Sequence, residues 1–241
     1  MRPVAAGPRS QSDSLSTALT TVSMGEPDSY SQSSTAFRCD ECSLEMAVPL
    51  FCDHCGYSYP ERRGMSPFAI LSLPATFALS QEQIEQRELD LTRRLHPDRW
   101  QKEDSRLHRQ ALIAQVAVNE ALEAIREPIR RGETLLALQA AELSEQLQAE
   151  QRPDQSFLLE QLELQEEVRD PLEPARKRDI KKRVRRELAG LLEQLNAHFA
   201  AFEASKEDEK RRQLVGQTLR LLGEARYWRN LQRALRGEAP R

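Results

Sequence analysis

Four cysteines in seventeen residues, "CDECSLEMAVPLFCDHC", constrain the folding of this chain more than any other feature. Cys39-x2-Cys42 is followed, after nine intervening residues, by Cys52-x2-Cys55. A C-x2-C turn holds two thiolates at the separation a tetrahedral metal ion demands, and two such turns complete the shell. Gly56 follows the second pair, where a tight turn often needs a positive φ. The spacing points to a structural zinc held by Cys39, Cys42, Cys52 and Cys55, since four thiolates leave no open position for a catalytic water. A redox dithiol or a chance cluster is the competing reading, and a pair of disulfides would need an oxidising compartment. Segment 37–60 is short, so the metal is expected to hold it, supplying on the order of 10 kcal/mol against the little that Val48, Leu50 and Phe51 could bury. His54 is expected to face solvent.

Residues 1–36 contain thirteen Ser or Thr and no apolar periodicity, and read as a disordered tail. The tail shows no continuous apolar stretch, and Arg2 and Arg9 are opposed by Asp13, Glu26 and Asp28. The expected compartment is therefore the cytoplasm, with the mitochondrial matrix as the alternative. With 35 basic and 38 acidic side chains, the net charge of −3 offers no long-range attraction to nucleic acid or anionic lipid. No apolar run approaches the roughly 18 to 20 residues of a membrane span.

From Ser66 onward the pattern is helical. Ser66 and Pro67 read as N-cap and first position of a short helix in "SPFAILSL". Ser80, with Gln83 three residues on, opens "LSQEQIEQRELDLTRRL", which carries Ile84, Leu91 and Leu95 on one face and Arg87, Arg93 and Arg94 on the other. Pro97 lacks an amide hydrogen and drives His96 out of the α region, so this helix stops at Leu95 or His96. A third helix runs from about Arg106 to Arg126 with Ala111, Ala114, Val118, Leu122 and Ile125 on one stripe. Two such helices joined by a short loop should lie antiparallel, leaving His96-Pro97-Asp98 at an exposed apex.

As chemistry the tripeptide is weak. His96 and Asp98 flank a rigid proline, have no nucleophile near them in sequence, and supply at most two metal ligands, so no enzyme is expected. His96 as a simple helix cap is the bland reading. The fuller pattern of helix, basic face, His-Pro-Asp, loop and antiparallel helix resembles the J-domain of DnaJ-type co-chaperones, over roughly Ser66 to Ile125. The resemblance implies that His96, Pro97 and Asp98 dock on the ATPase domain of a DnaK-class heat-shock chaperone and stimulate it. Arg93, Arg94 and Arg99 would serve as electrostatic contacts. Arg99 stands where lysine is familiar and Trp100 where phenylalanine is common.

Farther along, "IRRGETLLALQAAEL" reads as one helix and 148–153 as a polar linker. In "SFLLEQLELQEEV", Phe157, Leu164 and Val168 point within about 20° of one direction, while Leu158 and Leu162 point elsewhere. The second stripe is either a wider buried face or a patch left for a partner. Leu188, Leu192, Leu195, Phe199 and Phe202, then a stretch around Trp228, mark two further helices and suggest a three-helix bundle. The cations of "ARKRDIKKRVRRE" lie on all sides of a helix without interleaved aromatics, which reads as a solvated surface.

"FLLEQLELQEEV" behind a J-domain, continued by a helical bundle, is similar to the HscB family of iron–sulfur cluster biogenesis, some of whose members carry a four-cysteine zinc module. That resemblance implies a mainly α fold with a four-cysteine zinc module at 37–60, an antiparallel-hairpin J-domain at 66–140 and a C-terminal bundle at 153–236. It further implies an HscA-type DnaK-class chaperone and an IscU-type scaffold as partners, with no nucleic acid and no membrane. Leu158, Leu162 and Leu221 would be exposed scaffold-binding residues. The rival readings are a general J-protein for unfolded clients and a zinc-ribbon nucleic-acid binder using Lys181 to Arg186.

Overall fold

A computed structural model describes residues 37–100, 105–148, 153–169 and 171–238. The expected tail at 1–36 and most of the expected linker at 148–153 lie outside them. The fold is mainly helical: α1 (Pro67–Leu71), α2 (Gln81–Leu95), α3 (Ser105–Arg126), α4 (Pro128–Gln139), α5 (Ala141–Gln148), α6 (Gln155–Arg169), α7 (Pro174–Ala204) and α8 (Asp208–Ala234). Two 3-10 turns, Pro60–Gly64 and Pro97–Trp100, punctuate it. None of the described helices is long and apolar enough to cross a membrane.

The helices start where their first residues satisfy orphan backbone donors. The Ser66 hydroxyl accepts from the Ala69 amide, with Pro67 at the first position. Ser80 and Gln83 form a reciprocal capping box: the Ser80 hydroxyl accepts from the Gln83 amide at 3.1 Å, and the Gln83 side chain accepts from the Ser80 amide at 2.9 Å. Glu127 caps α4 by accepting from the Arg130 amide at 2.9 Å.

The helix expected from "IRRGETLLALQAAEL" is broken in two. Ala140 takes φ −152° and ψ 42°, outside the helical region. Local propensity favours continuity there; the bend instead lets Leu135 and Leu136 of α4 and Leu147 of α5 all be buried, with both helices packed on α8. Central in the C-terminal half, α8 is flanked by α4, α5, α6 and α7. Glu167 with Arg176 and Glu160 with Arg183 tie α6 antiparallel to the first turns of α7. Gly132 permits the close approach of α4, because a Cβ there would sit 2.9 Å from Leu222 Cδ2 and 3.4 Å from the Phe77 ring.

One continuous apolar core runs through both the hairpin and the C-terminal helices. The expected stripes point into it: Ile84, Leu91 and Leu95 from α2, Val118 and Ile125 from α3, Leu195 and Phe199 from α7, Trp228 and Leu231 from α8. That core also takes in Val48, Leu50 and Phe51 from the cysteine segment. The expectation that the metal alone holds this segment is therefore corrected. Its apolar residues are buried against the hairpin, which no count of the segment's own residues could reveal.

Candidate metal centre and docking apex

The two C-x2-C turns are built alike. The Ser43 amide donates to Cys39 O and the Gly56 amide to Cys52 O, both at 2.9 Å, while the Cys39 and Cys52 amides donate to Leu44 O and Tyr57 O at 2.9 and 2.8 Å. Each turn is closed by a left-handed residue, Ser43 at φ 60° and Gly56 at φ 76°. The four sulfurs lie within 4.8 Å of one another, with Cys39 to Cys55 at 3.6 Å and Cys42 to Cys52 at 3.7 Å. Sulfurs about 2.3 Å from a tetrahedral centre are roughly 3.8 Å apart, so the donor set fits such an ion.

Burial raises the Cys39 thiol, but the Tyr59 hydroxyl, donating to its sulfur at 3.4 Å, and the backbone of Cys42 and Glu41 outweigh this and bring it down to about 6. Burial pushes Cys52 up to about 12 and raises Cys55. One thiolate is thus favoured by the fold itself, and a cation would favour the others, as metal binding displaces thiol protons. His54 is exposed, its Nε2 3.1 Å from Glu45 O.

At the far end of α2, His96 leaves the helix at φ −56° and ψ 127°, and Pro97–Trp100 forms a 3-10 turn. The side chains of His96 and Asp98 are 51% and 67% exposed, with Nδ1 to Oδ2 at 3.6 Å. The Asp98 amide donates to His96 Nδ1 at 3.3 Å, so the two groups stand together at the apex. Arg93 and Arg99 are exposed, and Arg99 donates to Arg94 O at 2.9 Å.

The basic face of α2 is not open as the sequence suggested. Arg94 Nε donates to Asp53 Oδ2 at 2.8 Å, and Arg87 donates to the carbonyls of Ala47 and Leu71, both at 2.6 Å. Burial raises the Asp53 carboxyl, yet the bonds from Arg94 and the Ala47 amide prevail and hold it below the usual carboxylate range. Arg94, its side chain still 31% exposed, is thereby already engaged within the chain. A helix face is legible in sequence, but the segment that covers it, forty-one residues earlier for Asp53, is not.

The leucines also divide differently. Leu162 is 52% exposed and Leu158 half-buried, but Leu221 is 9% exposed and belongs to the core, because α8 is flanked on several sides and buries Leu221 and Leu222 together. Leu159, passed over in the sequence, is 56% exposed beside Leu162 on α6. Its three-residue separation from Leu162 was the available signal. Phe157, Leu164 and Val168 face the core as their spacing indicates. Among the cations of α7, Arg176, Arg183 and Arg186 are paired with Glu167, Glu160 and Glu187.

A four-cysteine module whose sulfurs are placed to hold a metal ion, a two-helix hairpin with His-Pro-Asp at its apex and a C-terminal helical unit define a mainly helical, modular class of protein. Residues 153–236 match the HSCB C-terminal oligomerisation domain. Curated relatives include the co-chaperone protein HscB homolog of Haemophilus influenzae, 35% identical over 107 residues, and the co-chaperone protein HscB of Proteus mirabilis, 31% identical over 106. Each match spans 44% of this chain and 60% of the relative's length. The human co-chaperone protein HscB shares the fold at a TM-score of 0.62 with 21% identity, covering 83% of this chain and 97% of that one. Chaperone HscB from Vibrio cholerae does so at 0.56 with 24% identity, covering 72% and 96%. The chain is thus similar to co-chaperone proteins of the HscB type over part of their length and shares the fold of the solved HscB structures.

Proposed function

We propose that this chain is a co-chaperone of iron–sulfur cluster biogenesis that binds a cluster scaffold of the IscU type, delivers it to a DnaK/HscA-class chaperone and stimulates that chaperone's ATPase. The observation that carries the reading is the exposed apex, where an imidazole and a carboxylate stand beside Arg93 and Arg99. A proline-stiffened turn loses little entropy on docking, Asp98 can accept charge-assisted bonds from a partner arginine, and the arginines favour an acidic surface. The names of the curated relatives support the co-chaperone part of this reading. The scaffold patch comprises Leu158 and Leu162, with Leu159 added and Leu221 acting only as the core residue beneath the α8 surface.

The chain itself performs no catalysis on this reading; the hydrolysis belongs to the partner. Cys39, Cys42, Cys52 and Cys55 hold a structural zinc, for which an all-thiolate tetrahedral shell is well suited. X-ray absorption checks this by finding four sulfur neighbours.

The deciding experiment measures chaperone ATP turnover with this protein and the scaffold added separately and together. Synergy is expected, and His96→Gln should abolish stimulation while circular dichroism stays unchanged. Undiminished stimulation by that variant would refute the docking role. Preference for denatured polypeptides over the folded scaffold would instead establish a general J-protein.

A further inference from the structure

The cysteine module touches both the helix that enters the apex and the turn that leaves it. On the entering side, Asp53 takes the Arg94 guanidinium with one oxygen and the Ala47 amide with the other, at 2.8 and 2.9 Å, and its side chain is 3% exposed. Two turns earlier, Arg87 bonds the Ala47 carbonyl. On the leaving side, Trp100 packs edge-on against Phe51, ring centroids 4.9 Å apart at 78°. A Cβ on Gly56 would meet Leu107 Cδ2 at 2.8 Å and Trp100 Cζ3 at 3.3 Å, so the second knuckle is pressed against the hairpin with no room to spare.

All these contacts come from residues 47–56, the stretch that contains Cys52 and Cys55. Phe51 and Asp53 flank Cys52, and Gly56 follows Cys55. Whatever fixes those two sulfurs also fixes the carboxylate on Arg94 and the ring under Trp100. Residues 47–56 form no regular strand, only isolated bridges such as Val48 with Phe51 and Phe51 with Ser58. Backbone pairing alone gives such a segment little rigidity, so its hold on the hairpin is shared between the buried Val48, Leu50 and Phe51 and whatever fixes the sulfurs.

We propose that the metal-loaded four-cysteine module is a brace for the docking apex, with Asp53 and Phe51 as positioning residues that act through Arg94 and Trp100. The inference rests on the reading of the apex as a docking site, but its physical content is intramolecular. With metal bound, the arginines open beside the apex are Arg93 and Arg99, while Arg87 and Arg94 are held by the module. On metal loss the stretch relaxes, Arg94 is released from Asp53, Arg87 gives up the Ala47 carbonyl while keeping Leu71 O and Asp90, and the turn at Pro97–Trp100 loses its support from Phe51. Metal occupancy therefore sets both the shape of the apex and the number of cations around it.

The test is hydrogen–deuterium exchange on the full chain, with zinc bound, after removal by a chelator, and after zinc is restored. Removal should speed amide exchange in 91–100 by at least about tenfold, leave 174–234 unchanged and be reversed by zinc. Unchanged protection in 91–100 while 39–55 loses its own would overturn the brace, and so would loss of protection throughout the chain, which would make the metal a global staple. Asp53→Asn should keep one equivalent of zinc yet speed exchange in 91–95; a variant with zinc retained and unaltered exchange there would remove Asp53 from the proposal. Exchange requires no chaperone, so the brace can fail while the docking reading stands, and the reverse holds for ATP turnover.

Discussion

The rings of Phe77 and Phe199 lie stacked, 15° from parallel with centroids 5.1 Å apart, joining the segment before α2 to the C-terminal part of α7. Arg131 of α4 sits over the Phe77 ring at 5.3 Å, so three separate parts of the chain meet at one point. The hairpin and the C-terminal helices thus share a core there.

Phe199→Ala should remove that junction at a cost of about 3–5 kcal/mol, the usual range for deleting a buried phenylalanine ring. The expected result is a melting temperature lower by on the order of 10 °C, with hairpin and C-terminal helices melting together. A split into two transitions, one at the parent temperature, would show that the halves fold independently.

Ser80→Ala removes one half of the capping box at the start of α2 and should cost about 1 kcal/mol. Urea unfolding followed by circular dichroism measures this. No change in midpoint would mean that Gln83 or solvent satisfies the freed amide.

Leu159→Ala combined with Leu162→Ala should change stability by no more than about 0.5 kcal/mol, because both side chains are more than half exposed. Calorimetric titration with the scaffold should nevertheless show weakened affinity. A large loss of helicity would mean that α6 depends on these leucines for packing, and unchanged affinity would take the patch out of the interface.

Burial holds the His198 imidazole below its ordinary value of 6.5, and its Nδ1 is buried without a hydrogen-bond partner among the described residues. As pH falls below 6.5 the unfolded chain therefore binds a proton that the folded chain does not. The stability attached to this group is complete above that pH and declines as pH drops toward the lower folded value. His198→Gln should flatten this part of the profile, so its melting temperature should fall less between about pH 7.5 and 5.5 than the parent's. An equal fall would assign the slope to other groups.

Much of this fold follows from short-range chemistry. Thiolate spacing, the Ser80 and Gln83 pair, the proline after His96 and apolar residues at helical intervals each act within a few residues, and the corresponding knuckles, cap, helix end and buried stripes are all present. The exposed apex follows as well, since Pro97 stops a helix whose apolar face must pair with the next one.

What covers what was decided only in three dimensions. Arg94 and Arg93 are adjacent cations, yet one is held by Asp53 from the cysteine module and the other stays exposed. Leu162 and Leu221 carry the same side chain, yet one lies in water and the other beneath its neighbours. The break at Ala140 opposes local helix preference because burying Leu136 and Leu147 on α8 outweighs it. Helix starts and stops depend on contacts a turn away, which adjacent residues dictate, whereas the fate of an outward face depends on segments tens of residues distant, which only the packed chain brings into place.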